Sequence, residues 1–479
     1  MRGRIRLALS VTAALCCVSG AQAADLLEIY QRAQQNDPLV READATRLAN
    51  REARPQAIAT LLPQITGSAQ WVQDEDEGSR VFTDELGQTQ PTAFSAESDN
   101  DALQVQIRQS VFRWENWVAL GRSDKVVAQA EANYQAAQQD LMLRVATRYF
   151  DVLAARDTVQ SEETARDAIS RQLEQANKRF EVGLIAITDV QEAKAAYDNA
   201  AAAVIRAKRN LATAQEFLRE ITGDSSDVLE APGVEMPLVT PAPESADQWI
   251  ATALEQNLTL ISSRLGADIA RSDVNSRRGG HFPSVDLVLS QQEFNQTGDQ
   301  TTDAGTFPTD NDNTHKEVSL QVTVPIFSGG NTSSLVRQAS YQYRAAKERL
   351  ERTTRETERA TRDAYLGVIS EISRVQALRQ ALESSRTALQ ATEAGYEVGT
   401  RTTVDVLDAR RTLALAETNY ARSRYDYLIN IVRLKLAAGT LRTEDIAEIN
   451  NWLEVPAPIT PKAAPASPTA PTTPPNSQS

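Results

Sequence analysis

Two carboxylates three positions apart, Asp405 and Asp408, follow a short segment that also holds Tyr396 and Arg401. At the start of a helix, that spacing turns both acids to one side. First-turn carboxylates are favoured by the helix dipole alone, so a solvated charge cluster is the bland reading. If several copies of the chain surround an axis, the same pair becomes stacked acidic rings that attract cations and can control a pore. A Tyr hydroxyl, an Arg fork and a carboxylate can form a charge-assisted network. Thr188 and Asp189 offer the matching partners elsewhere in the chain. Catalysis has far less to draw on. The only two histidines are His281 and His315, and there is no HExxH, CxxC, GxSxG or Gly-rich phosphate loop. No enzyme activity, cofactor or metal site is expected.

The elements that must position these residues come twice. Phe180-Glu181-Val182-Gly183 with Thr188-Asp189-Val190 recurs as Tyr396-Glu397-Val398-Gly399 with Val404-Asp405-Val406. A shift of 216 positions carries Gly183 onto Gly399 and Gly223 onto Gly439 without a gap. A repeat this long defines two similar halves. No proline occurs from Thr92 to Ala231 or from Ile326 to Val455. Runs this long without a breaker are helical, and each divides at its Gly turn into a hairpin. Arg113 to Arg179 alone is 67 residues, about 100 Å of helix, a length typical of coiled coils. Val127, Ala130, Tyr134, Ala137 and Leu141 keep a/d spacing, and ten alanines lie between Ala193 and Ala214. Small side chains let helix axes approach closely.

Residues 1–23 hold Arg2, Arg4 and Arg6, an apolar stretch from Leu7 to Val18, and Ala21-Gln22-Ala23. This is the pattern of a secretory signal peptide. Its removal takes the net charge from −14 to −17 and removes both cysteines, Cys16 and Cys17. A thiol-free exported chain has no disulfide staple and no Cys nucleophile. Its acidity argues against nucleic acid as a partner. No later stretch has 18 continuous apolar residues, so no membrane-crossing helix is expected. A soluble periplasmic protein, a secreted protein and an outer-membrane β-barrel all stay open.

Period-2 patterning precedes each helical run. Leu103, Val105, Ile107 and Val111 alternate with polar residues, as do Val318, Leu320, Val322, Val324 and Ile326. Partner strands follow Leu62-Pro63 and Phe282-Pro283. The expected strands are about 63–73, 102–112, 283–293 and 316–327, with acidic loops near 74–100 and 295–314. Segments of about ten residues suit a tilted membrane-crossing strand. Four strands cannot enclose a lumen, so several chains would have to share one barrel. The alternative is two soluble hairpins on a helical protein. The expected plan is a first repeat over 24–230, with its helical hairpin at about 113–222, and a Pro-containing linker over 231–247. A second repeat follows over 248–455, with its hairpin at about 331–438, and then a disordered Pro-rich tail over 456–479.

The segments Arg179 to Val190 and Gly395 to Ala409 strongly resemble the TolC family of outer-membrane channels. So do Tyr425-Asp426-Tyr427-Leu428-Ile429-Asn430, Ala438-Gly439-Thr440-Leu441 and Pro325-Ile326-Phe327-Ser328-Gly329-Gly330. The resemblance covers the mature chain to about Val455. It implies a mainly α fold with a small membrane β part: a homotrimer whose hairpins form a periplasmic helical barrel, and whose four strands per chain build a 12-stranded β-barrel in outer-membrane lipid. It implies a passive exit duct for drug efflux or type I protein secretion. The duct would dock through a periplasmic adaptor onto an inner-membrane efflux pump or ABC exporter, and its tip would close like an iris. By residue match, Thr188 and Asp189 would link to Tyr396 and Arg401 to hold the tip shut. Asp405 and Asp408 would form the entrance rings, and Val182-Gly183-Leu184 and Val398-Gly399-Thr400 would meet the adaptor. Glu192 stands where the first repeat matches Asp408, an added candidate for the entrance. Two other classes compete: a periplasmic adaptor, which normally has one hairpin and compact β domains, and a soluble structural coiled coil.

Overall fold

A computed structural model describes residues 24–83, 89–224, 229–233, 236–302 and 305–454. The signal segment with Cys16 and Cys17, Asp303 and the Pro-rich tail lie outside the described residues.

Three short helices open the described chain: α1 (Leu26–Asn36), α2 (Pro38–Arg51) and α3 (Ala53–Ala59). Strands β1 (Gln64–Thr83) and β2 (Thr89–Phe112) lead into α4 (Trp114–Glu181) and α5 (Ile187–Thr222). After the two-residue β3 (Ala231–Pro232), the plan repeats. Helices α6 (Ala246–Gln256) and α7 (Leu258–Arg278) precede β4 (Ser284–Thr302) and β5 (Gly305–Thr323). The second hairpin is α8 (Asn331–Glu397) and α9 (Thr403–Ala438). Helix α10 (Thr443–Asn450) and β6 (Leu453–Glu454) follow. At 68 and 67 residues, α4 and α8 each run about 100 Å.

The four long strands form one antiparallel sheet in the order β1-β2-β4-β5, so β1 and β5 each keep an unpaired edge. Ile65, Ile107, Leu289 and Val318 stand in one row across all four strands. Leu287–Leu320 and Val285–Val322 continue that apolar face. The strands are longer than the expected 63–73, 102–112, 283–293 and 316–327. The acidic stretches expected as loops stay in the ladder, with Thr83 opposite Thr89 and Thr302 opposite Gly305. Only the apolar band must match the membrane, for which about ten residues per strand suffice. Beyond it a polar hairpin still pairs its backbone, even where Glu75 faces Glu97 and Glu97 faces Asp299. His315 sits in this ladder opposite Gln292. At the other end β5 stops at Thr323, short of the expected 327, since Pro325 has no N–H to donate.

The main core lies partway along the helices, where α1, α4, α9 and α10 meet. Tyr149, Phe150, Leu153, Tyr427 and Leu428 are fully buried there. Phe150 meets Tyr149 edge-on at 5.5 Å and stacks on Tyr425 at 5.8 Å between centroids. The segment between the repeats is strapped onto this hub. The Tyr149 hydroxyl donates to the carbonyl of Glu230 at 2.8 Å. The Tyr427 hydroxyl accepts from the N–H of Val239 at 2.7 Å and donates to its carbonyl at 3.0 Å. Arg422 of α9 joins the hairpins by an ion pair to Asp151 of α4 at 2.8 Å, and it also pairs with Asp426 on its own helix at 2.9 Å. The Tyr425 hydroxyl donates to Asp157 at 2.5 Å. Burial pushes the Asp157 carboxyl above its ordinary range, against the pull of that hydrogen bond.

Candidate functional site

Both hairpins turn in the same way. Gly183 and Gly399 have φ of +74° and +80°, the left-handed region where a Cβ is strained. At the first tip, the N–H of Gly183 donates to the carbonyl of Phe180, and that of Leu184 to Arg179, both at 2.9 Å. At the second, Gly399 donates to Tyr396 at 3.2 Å and Thr400 to Gly395 at 2.8 Å. This paired closure satisfies carbonyls that a helix end leaves open. It also pushes apolar side chains outward: Val182, Leu184 and Val398 are 69%, 73% and 75% exposed.

Helix α9 begins with a reciprocal cap. The Asp405 backbone N–H donates to the Thr402 hydroxyl oxygen at 3.2 Å, and the Thr402 backbone N–H donates to Asp405 Oδ2 at 2.8 Å. The Thr402 hydroxyl donates to the same Oδ2 at 2.9 Å. The bonds from Thr402, with Arg401 nearby, hold the Asp405 carboxyl below the usual carboxylate range. Helix α5 starts at Ala186, which has no side chain able to cap. Asp189, the counterpart of Asp405, makes no cap hydrogen bond with its carboxylate among the described residues. Thr188, Glu192 and Asp408 are exposed, and Asp189 is half-buried. Among the described residues, no hydrogen bond or ion pair within the chain joins Thr188 or Asp189 to Tyr396 or Arg401.

Two contacts missed in the sequence organise the second tip. The Arg179 guanidinium, in the last turn of α4, lies 4.9 Å from the centre of the Tyr396 ring on α8. The Thr403 hydroxyl donates to the Tyr396 hydroxyl oxygen at 3.4 Å. Gly395 is needed because a Cβ there would stand 2.8 Å from Arg401 Cγ. The duplication holds the missed signal: Arg179 aligns with Gly395, and Ile185 with Arg401. Each turn has one arginine at these two positions, at opposite ends. Ile185 instead packs against Ala176, Val190 and Ala193 beneath the first tip.

No group of His, Cys, Asp and Glu able to hold a metal occurs among the described residues. Among the described residues, no helix is long and apolar enough to cross a membrane. The apolar band is in the sheet.

A four-stranded membrane-length sheet above two coiled hairpins defines an outer-membrane channel protein. The family model described as "Outer membrane efflux protein" matches residues 29–224 and 249–440, and the chain belongs to that family. The outer membrane protein TolC of Escherichia coli is 37% identical, over 92% of this chain and 87% of its own length. The alkaline protease secretion protein AprF of Pseudomonas aeruginosa is 29% identical, over 89% and 86%. Among solved structures, the Campylobacter jejuni CmeC outer membrane channel superposes with a TM-score of 0.70 at 16% identity, over 94% of this chain and 98% of its own. The chain is thus an outer-membrane efflux or secretion channel protein with a long periplasmic extension, and not an enzyme.

Proposed function

We propose that three copies assemble into one duct that exports drugs, proteins or both, docked through a periplasmic adaptor onto an inner-membrane transporter and closed by an iris at the hairpin tips. The sheet with two unpaired edges is the observation that supports this most. An open edge in lipid costs several kcal/mol per unsatisfied group, so the sheet has to close with other copies. Two copies give eight strands, a barrel filled by its own side chains, whereas three give twelve and leave a passage. The two hairpins of each copy then build the periplasmic wall. The exposed Val182-Gly183-Leu184 and Val398-Gly399-Thr400 tips suit an adaptor that covers apolar surface. Thr188 and Asp189 meet Tyr396 and Arg401 at the gate. Asp405 and Asp408 line the entrance, with Glu192 as a further contributor. The name of one relative, an alkaline protease secretion protein, supports protein cargo beside the efflux that the family's description names.

Native mass spectrometry of the detergent-extracted protein tests the assembly, and a monomer would sink it. In planar bilayers, Arg401→Ser raises conductance severalfold, and unchanged conductance would remove Arg401 from the gate. Asp405→Ala with Asp408→Ala weakens block by multivalent cations from the periplasmic side. Leu184→Glu abolishes export while leaving the trimer intact.

A further inference from the structure

At the tips of one chain, Arg179 and Tyr396 make a contact between the two hairpins. The Arg179 guanidinium lies over the Tyr396 ring, while α4 carries one partner and α8 the other. Among the described residues that guanidinium makes no ion pair and no hydrogen bond, so its attraction to the ring is unshared. The ring is steadied from its own hairpin by Thr403, which follows the turn. The repeat supplies no second version of the contact. The position matching Arg179 is Gly395, and its open space is taken by the stem of Arg401.

We propose that Arg179 is a positioning residue of the gate, latching the first hairpin to the second through the face of the Tyr396 ring. The proposal rests on the gate reading above and adds to it a residue whose contact lies inside each chain. A cation over an aromatic face at a part-exposed site shifts a two-state equilibrium by roughly two- to fivefold. Three copies in one iris multiply that shift. Because a phenyl face attracts a cation nearly as a phenol does, the latch depends on the ring and not on the hydroxyl.

The test is the open fraction of single channels of the full-length protein in planar bilayers. Arg179→Gln and Tyr396→Leu should each raise it at least twofold, and their double variant should add little to either. Arg179→Lys should restore part of the closed population, and Tyr396→Phe, which keeps the ring and loses only the hydroxyl of the gate network, should open the channel less than Tyr396→Leu. Unchanged trimer mass in every variant separates gating from assembly. An Arg179→Gln channel that behaves like the parent, or a Tyr396→Phe channel that opens as widely as Tyr396→Leu, overturns the latch. Arg401→Ser is the control. If it too is silent, the gate reading itself fails; if it opens the channel while Arg179→Gln does not, only the latch fails.

Discussion

At the first tip, α5 starts on Ala186 with no side-chain cap, and Ile185 turns inward onto Ala176, Val190 and Ala193. At the second, α9 starts on Thr402 with a reciprocal cap, and Arg401 lies outward over Gly395. The two turns share backbone geometry to within a few degrees of φ at their glycines. What differs is where the charged groups are used. Asp405 is spent locally on its own helix start, whereas the carboxylate of the equivalent Asp189 makes no cap bond among the described residues. A duplicated turn can therefore yield one tip that is built and one that is available, with only a few substitutions between them.

The contrast breaks most strongly at Gly395. Gly395→Ala puts a Cβ against Arg401 Cγ, costs about 1–3 kcal/mol, and opens the channel by displacing Arg401. Ala at the matching position 179 meets no such crowding. Next come the shared glycines. Gly183→Ala and Gly399→Ala each cost roughly 1–2 kcal/mol at a left-handed position. Hydrogen exchange should rise equally at both tips, and unequal loss would mean the turns are not equivalent. Smaller is the cap. Thr402→Ala speeds exchange in the first turn of α9 by roughly fivefold. Ala186→Thr should do the reverse for α5 and, by drawing Asp189 into a cap, raise conductance. The smallest effect is in pH. The Asp405 carboxyl lies below its unfolded value, so its contribution is complete above about pH 4 and is lost as pH falls through the folded value. Exchange at the α9 start should rise over that acidic window, and Thr402→Ala should flatten the dependence.

Much of the architecture was legible because its signals are local. Proline-free runs and two glycines set the hairpins, and α4 and α8 end within two residues of Gly183 and Gly399. The strands were legible only where one face is apolar. Asp74 to Glu77 read as loop because composition tracks the membrane, while the ladder tracks backbone pairing, which continues above it. Asp405 was legible in its bland role as a first-turn carboxylate, and the cap bears that role out. Arg179 was not, because its partner is 217 positions away on the other hairpin, and no helical spacing encodes a contact between tips. The linker was readable as Pro-rich but not as a strap, since Tyr149 and Tyr427 meet it only once α4 and α9 are packed.

The hub has a mechanical meaning. From Phe150, buried in it, to Glu181 at the end of α4 is about 45 Å of helix. A stiff rod of that length is a lever whose fulcrum is the aromatic cluster. Turning it by about five degrees sweeps its far end through about 4 Å, on the order of one side chain's width. Repacking around Tyr425 or Arg422 too slight to disturb the core would be magnified at the hairpin tips.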